Sequence, residues 1–175
     1  MGLFNVFRNS KKDRMLVWQN FVMTVSNPDK LVASEKQLRS ISQRIIENDL
    51  RIINDCRDII SSTTNPDTFF SRMDLLEEKA KELAFLEEFM AFRGPSPKAA
   101  LNQIHEQYQL SISMFLKRYY GDTVVKSESL KTMKGKQARY QKFYDSLQKY
   151  YHRMSQENIQ YIEKSFATLQ KLLNQ

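Results

Sequence analysis

Helix-breaking residues are scarce in this chain, and their scarcity constrains the fold more than any other feature of the sequence. Only four glycines and four prolines occur among 175 residues, and proline breaks helices because it lacks an amide hydrogen and clashes with the preceding turn. Most of them stand in four short groups: Asn27-Pro28-Asp29, Asn65-Pro66-Asp67, Gly94-Pro95-Ser96-Pro97 and Gly121-Asp122. The intervals between these groups can therefore form long, uninterrupted helices.

The tripeptide Asn-Pro-Asp occurs twice and predicts two helix starts. Its Asn can accept hydrogen bonds from the first free amides, its Pro suits the first helical position, and its Asp complements the helix dipole. We expect Gly94-Pro95-Ser96-Pro97 to end one helix and begin the next, with Ser96 as the N-cap. We also expect a break at Gly121-Asp122, with Asp122 as a cap, and a further cap at Ser155.

Between these groups the apolar residues recur every three or four positions, which is the spacing of an amphipathic helix. The pattern predicts helices over residues about 12–25, 29–62, 66–92, 97–120, 122–154 and 155–175, and it predicts no strand. The expected fold class is all-α: an elongated bundle of five or six amphipathic helices, some of them long and coiled-coil-like. We expect residues 1–12 to form an N-terminal tail and residues 13–175 to form a single helical domain.

The residue types that carry catalysis are sparse. The chain has two histidines and one cysteine, and neither His105 nor His152 has a partner at metal-ligand spacing. No glycine-rich phosphate loop and no Gly-x-Ser-x-Gly motif can be found. Cys56 lies among isoleucines, which favours a buried thiol over a reactive one. The sequence therefore predicts a protein that is not an enzyme and that uses no cofactor and no metal.

The net charge of the chain is concentrated in one segment, residues 117–153. It holds ten of the 27 basic residues and three of the 20 acidic ones, so its charge of 10 − 3 = +7 equals that of the whole chain. Basic residues interleaved with tyrosines are typical of surfaces that bind nucleic acids. An acidic row on the helix predicted over 66–92, from Asp74 to Glu88, is either a solvated face or a surface that covers this basic segment.

A helical-wheel projection of the basic segment separates its cations from its aromatic residues, at about 100° per residue. The aromatic side then reads as core, and one face carries the candidate contact surface: Arg139, Lys142, Lys149 and Arg153. We expect a protein partner or a second copy of the chain to bind there. The alternative is a nucleic acid, or the active groove of a nucleic-acid enzyme that the chain inhibits. We expect neither a membrane nor a small-molecule substrate as the partner.

The segment Thr64 to Leu76 reads TNPDTFFSRMDLL. It resembles a box found in a family of all-helical proteins of Gram-positive bacteria and their phages or mobile elements, in which a Leu- and Glu-rich helix and a Gly-Pro-Ser-Pro break follow. Met73 stands where that box often has Tyr. The resemblance implies a helical fold and a bacterial or phage setting, but no activity and no site residue. A cytoplasmic protein is predicted on other grounds. No apolar run approaches the ~20 residues that span a bilayer, the apolar residues of 1–12 precede the basic ones in the reverse of a secretory signal, and a lone cysteine suits a reducing compartment.

Overall fold

The computed structural model of the chain describes residues 5–9, 13–18, 21–26, 31–89 and 96–173. From residue 31 onward the described chain is all-α. Its helices are α1 (Leu31–Ser62), α2 (Pro66–Phe89), α3 (Pro97–Glu128), α4 (Met133–Gln148) and α5 (Gln156–Leu172). A 3-10 turn, Tyr151–Arg153, lies between α4 and α5. The predicted all-α bundle of five or six helices is confirmed by these five helices of the described residues.

The short helix predicted over about 12–25 was wrong. Three antiparallel strands lie here in the order β1 (Asn5–Asn9), β2 (Asp13–Trp18) and β3 (Phe21–Ser26). The register of β2 and β3 pairs Trp18 with Phe21, so only two residues separate the strands. Valine and aromatic residues recur in this segment, and such side chains prefer a pleated backbone. A short apolar run can match both periodicities, and here the β-branched composition decided.

The caps predicted at Asn65, Ser96 and Ser155 are confirmed. The Asn65 side-chain oxygen accepts hydrogen bonds from the amides of Asp67 at 2.9 Å and Thr68 at 3.2 Å. Ser96 accepts from the amide of Ala99 at 3.2 Å, and Ser155 caps α5. The group Asn27-Pro28-Asp29 and the residues Gly94-Pro95 lie outside the described residues.

The break predicted at Gly121-Asp122 was wrong, because α3 continues through it to Glu128. Glycine inside a helix costs about 1 kcal/mol relative to alanine, which is less than the burial of one apolar side chain contributes. Tyr119, Thr123 and Ser127 around the glycine are all buried. Asp122 forms an ion pair with Lys126 one turn later, at 2.9 Å, instead of capping a new helix.

This continuity leads to a prediction for Gly121. A methyl group at this position would meet no atom within 4 Å, so Gly121→Ala should stabilise the protein by about 0.5–1 kcal/mol in urea unfolding. Gly135→Ala is the matched control, because its methyl group would approach the capping oxygen of Thr132 at 3.0 Å. We expect no comparable gain there. A loss of stability in Gly121→Ala would contradict the unstrained helix described here.

The chain divides into two compact units. The first unit comprises residues 1–54 and 76–101, and the second comprises residues 55–75 and 102–175. The single helical domain expected over residues 13–175 stays a prediction, as does the tail over residues 1–12.

The second unit contains a continuous aromatic and aliphatic core. Phe115 of α3 is fully buried and stacks on Phe69 of α2, with ring centroids 4.2 Å apart. The other buried members of this core are Phe70, Met73, Ile112, Leu116, Tyr119, Tyr140, Phe143, Leu147, Met154, Ile162 and Leu169. Cys56 is also buried, as predicted, and burial raises the pKa of its thiol. The helices of this unit are therefore held together mainly by apolar packing.

Candidate contact surface

The four cations predicted to share one helix face do not share it. Helix α4 ends at Gln148, and the backbone then turns into the 3-10 segment. Tyr150 accounts for this turn, since its ring stacks on Phe70 at 4.0 Å and its hydroxyl donates to Asp67 at 2.7 Å. Arg139 and Lys142 therefore lie on α4, whereas Lys149 and Arg153 lie beyond its end.

Arg153 is used inside the second unit. Its guanidinium forms a two-pronged ion pair with the carboxylate of Asp74 on α2, at 3.1 and 2.5 Å. It also donates to the hydroxyl of Tyr108 at 2.9 and 2.6 Å and lies 5.0 Å from the centre of the Phe70 ring. The Arg153 side chain is only 18 % exposed. This arginine connects α2, α3 and the turn before α5, and it is not an outward contact residue.

Lys149 makes a weaker contact of the same kind. Its ammonium forms an ion pair with Asp67 at 2.5 Å, and both side chains are more than half exposed. Hydrogen bonds from Lys149 and Tyr150 lower the pKa of Asp67. The first turn of α2 therefore neutralises the charge of Lys149.

A substitution tests the structural role of Arg153. We expect Arg153→Met to lower the free energy of unfolding by about 1–2 kcal/mol, because charge-assisted hydrogen bonds to Asp74 and Tyr108 are lost while the apolar stem is kept. Lys149→Met is the control, and we expect it to change stability far less because its ion pair is exposed. Urea unfolding followed by circular dichroism measures both. Equal stability of Arg153→Met and the wild type would contradict the role assigned here.

Two further cations of the segment 117–153 also have internal partners. Arg118 donates to the carbonyls of Ile60 at 2.6 Å and Thr63 at 3.4 Å, so it satisfies the C-terminal end of α1. Lys126 pairs with Asp122. The side chains of the remaining six have no hydrogen-bond or ion-pair partner in the part of the chain that the structure describes: Lys117, Lys131, Lys134, Lys136, Arg139 and Lys142.

Five of these six form what we call the basic segment of α4: Lys131, Lys134, Lys136, Arg139 and Lys142. It begins just before α4 and covers its first three turns. The first turn of α4 contains no acidic residue, although the positive end of a helix dipole favours acids there. Lysines at this end add to the positive potential of the helix. The helical-wheel projection began at Arg139, so the predicted contact surface did not include Lys131, Lys134 and Lys136.

Arg139 and Lys142 line a groove with a volume of about 630 Å³. One wall is a stripe of α4, which also includes Gly135, Ala138 and Ser146. The opposite wall is a stripe of α3, and the start of α2 provides the third side. Its other lining residues are Thr64, Asn65, Pro66, Asp67, Tyr119, Asp122, Thr123, Lys126 and Leu130. Sequence reasoning did not predict this groove, because its walls come from three separate helices.

The acidic row predicted on α2 does not act as one surface. Asp74 pairs with Arg153 in the second unit. In the first unit, Glu82 is buried and its carboxylate accepts from Lys79 at 2.8 Å, with Asp49 of α1 at 3.8 Å from the same ammonium. Glu87 accepts from the amide of Lys98 at 2.9 Å and so supports the start of α3. The side chain of Glu88 lies outside the described residues.

The outer face of α3 carries large apolar side chains. Leu110 is 59 % exposed, Met114 is 55 % exposed and Val125 is 65 % exposed. At about 100° per residue these three lie within roughly 60° of one another, on the side of α3 away from Ile112, Phe115 and Tyr119 of the core. We call this stripe the outer face of α3. A wheel of α3 would have shown it, because these residues fall outside the apolar stripe that predicts the core.

Two classes of site have no counterpart in the described part of the chain. Within residues 46–84 and 96–173, no group of three or more His, Cys, Asp or Glu side chains is arranged to hold a metal ion. None of the described helices is both long enough and apolar enough to cross a membrane.

Comparison with known proteins yields no relative for this chain. No protein family, no curated protein and no solved structure matches it. The resemblance of residues 64–76 to a box of bacterial and phage proteins therefore stays a prediction.

Proposed function

We propose that this chain is a non-catalytic helical interaction protein that binds a protein partner through the outer face of α3. The observation that supports this proposal is the exposure of Leu110, Met114 and Val125 on one stripe of a well-packed helix. Single exposed apolar residues are common, whereas several on one stripe are the pattern expected of a surface that a partner covers. Full burial of each such side chain contributes about 1.5–3 kcal/mol.

The charges along the outer face favour a partner of different sequence over a second copy. Exposed Lys117 lies in the middle of the stripe, and exposed Glu106 and Glu128 lie at its two ends. Two antiparallel copies paired about Lys117 would bring lysine against lysine and glutamate against glutamate, and parallel copies in register would do the same. Like charges in direct opposition weaken association. A partner surface with a carboxylate opposite Lys117 and cations opposite the glutamates avoids this repulsion.

A reconstituted complex tests this proposal. Partners captured by the tagged protein from bacterial lysate would be identified, purified and titrated against the wild type and against Leu110→Glu/Met114→Glu. We expect the double variant to bind at least about tenfold more weakly, since a buried contact residue at the centre of an interface contributes about 2 kcal/mol. The matched control is Met133→Glu/Leu172→Glu, which changes two other exposed apolar residues of the same unit.

Equal affinity of the wild type and Leu110→Glu/Met114→Glu would overturn the role of the outer face. Equal weakening by the control pair would do so as well. Sedimentation at increasing protein concentration tests whether a second copy of the chain binds to the outer face of α3 instead. A dimer that Leu110→Glu/Met114→Glu disrupts would replace the heterologous partner with a second copy of the chain.

A second candidate function is nucleic-acid binding through the basic segment of α4. The observation that favours it is that all five cations of this segment lack partners among the described residues, and that a helix N-terminus adds to their potential. Phosphate contacts of this kind make affinity fall steeply with salt. The same surface would also suit a phage-type inhibitor that occupies the charged groove of a nucleic-acid enzyme.

Fluorescence anisotropy with short DNA and RNA distinguishes the two functions. If the basic segment binds nucleic acid, Lys131→Glu/Lys134→Glu should weaken binding by at least about tenfold at low salt. Lys164→Glu/Lys171→Glu on α5 is the matched control, with the same change in charge at two other exposed lysines. Binding that does not respond to salt, or that both pairs weaken equally, would contradict a specific role of this segment.

The cytoplasmic and bacterial or phage setting is part of the proposal as well. It is supported by the lone cysteine and by the resemblance of residues 64–76. Fractionation of a Gram-positive host that expresses the full chain would test it, with the protein expected in the cytoplasmic fraction.

A further inference from the structure

The groove between α2, α3 and α4 has hydrogen-bond donors that lack acceptors. Arg139 is half-buried in its wall and Lys142 is exposed beside it, and neither has a partner among the described residues. At its third side, the Asn65 side-chain oxygen is occupied by two backbone amides, which leaves the amide group of that side chain to donate. The half-buried hydroxyl of Thr64 has no hydrogen-bond partner within the described ranges either. The guanidinium, the ammonium and the side-chain amide can only donate hydrogen bonds, whereas the hydroxyl can donate or accept. All four groups line one groove.

The charges of the groove do not cancel. Its two carboxylates are already neutralised, Asp122 by Lys126 and Asp67 by Lys149. Arg139 and Lys142 then remain, with one positive charge each. The half-buried guanidinium of Arg139 has five N–H donors in a fixed fork, and these are open to a ligand because they have no acceptor among the described residues. The groove therefore has the donors and the residual charge that suit a doubly negative group.

We propose that this groove binds a small phosphorylated molecule, with its phosphate on Arg139 and Lys142. The fork of an arginine matches two oxygens of a phosphate, and a lysine adds a point charge. The small residues Gly135 and Ala138 lie on the same stripe of α4 and leave space beside the cations. Thr64 and Asn65 contact the rest of the ligand. The site is separate from the outer face of α3 and does not depend on the function proposed for it.

The size of the groove favours a small molecule over a polymer. Its volume of about 630 Å³ falls within the range of about 300–1,000 Å³ that is usual for small-ligand pockets. A small-molecule ligand was not expected from the sequence, because the lining residues of the groove are spread over 83 positions from Thr64 to Ser146. Their chemistry becomes visible only when the three helices are packed together.

Calorimetric titration of the full chain with pyrophosphate tests the proposal. We expect saturable binding, and a loss of affinity of at least about tenfold in Arg139→Gln/Lys142→Gln, since two charge-assisted contacts are removed. Lys164→Gln/Lys171→Gln is the matched control, with the same loss of charge on α5, and its affinity should stay within about twofold of the wild type. Circular dichroism establishes that each variant is folded.

A second variant keeps Arg139 and Lys142 and changes only the free volume of the groove. Ala138→Leu places a larger side chain in the groove, so pyrophosphate should bind it at least several times more weakly than the wild type. No saturable binding to the wild type would overturn the proposal. Equal losses of pyrophosphate affinity in Arg139→Gln/Lys142→Gln and in Lys164→Gln/Lys171→Gln would also overturn it. A third contradicting result would be single-stranded DNA that binds Ala138→Leu as well as the wild type and that pyrophosphate does not displace.

Discussion

Phe115→Ala should lower the free energy of unfolding by about 3–5 kcal/mol, which is the usual cost of removing a buried phenylalanine. The ring is fully buried. It stacks on Phe69 at 4.2 Å and on Tyr119 at 5.8 Å, and it lies edge-on to Phe70 at 6.3 Å. Its removal takes contacts from α2 and α3 together, and the rings around it cannot close the cavity without leaving their own stacked positions.

The adjacent residue supplies the control for Phe115→Ala. Met114 lies on the same helix but is 55 % exposed, so Met114→Ala should change stability by less than about 0.5 kcal/mol. Urea unfolding followed by far-ultraviolet circular dichroism would measure both variants. A loss below about 1 kcal/mol in Phe115→Ala would mean that the site collapses around the smaller side chain.

Asp49→Asn should stabilise the protein at neutral pH by about 2–3 kcal/mol, since one pKa unit corresponds to about 1.4 kcal/mol. Burial, together with the neighbouring Glu82, raises the pKa of Asp49 from 3.8 to about 6. Lys79 is the one ammonium that contacts both buried carboxylates among the described residues. One oxygen of Asp49 and one of Glu82 have no hydrogen-bond partner in the described part of the chain.

The pH dependence of this effect has a definite sign. The folded chain holds the Asp49 proton more tightly than the unfolded chain does, so this group destabilises the fold as the pH rises from about 4 through about 6. Asparagine imitates the protonated acid at every pH. The difference in stability between Asp49→Asn and the wild type should therefore be small near pH 4 and should reach its full value above about pH 7.

Asp55→Asn is the matched control for this prediction. Asp55 lies on the same helix and is exposed, so its substitution should change stability by no more than about 0.5 kcal/mol at either pH. Urea unfolding at an acidic and a neutral pH would give the comparison. If Asp49→Asn were less stable than the wild type at neutral pH, the ion pair with Lys79 would outweigh the burial of the charge.

Much of the helical fold could be predicted from local signals. Asn65, Ser96 and Ser155 cap helices as expected, because a cap needs only a side-chain acceptor and the amides that follow it. The apolar spacing predicted the helices over 66–92 and 97–120, which carry Phe69 and Phe115 of the core. Helix placement failed at residues 12–25, at Gly121 and over 122–154, where α3 runs to Glu128 and α4 covers only Met133–Gln148. At residues 12–25 β-branched composition prevailed over spacing, and at Gly121 tertiary burial prevailed over an intrinsic propensity of about 1 kcal/mol.

The candidate site was less predictable than the fold. The wheel assumed that one helix carries Arg139, Lys142, Lys149 and Arg153, but the contacts of Tyr150 with Phe70 and Asp67 end that helix early. These contacts join residues that are about 80 positions apart in the sequence. No periodicity within one segment can reveal them.

The sequence by itself determined where most helices begin, which of their faces are apolar, and that the excess positive charge lies in residues 117–153. These properties follow from caps, spacing and composition, which act over a few residues. Only the tertiary structure decided which cations remain available. It neutralises Lys149 and Arg153 with acids of α2, and it leaves Arg139 and Lys142 in a groove. A charge acquires its partner through space, and the sequence records only its position along the chain.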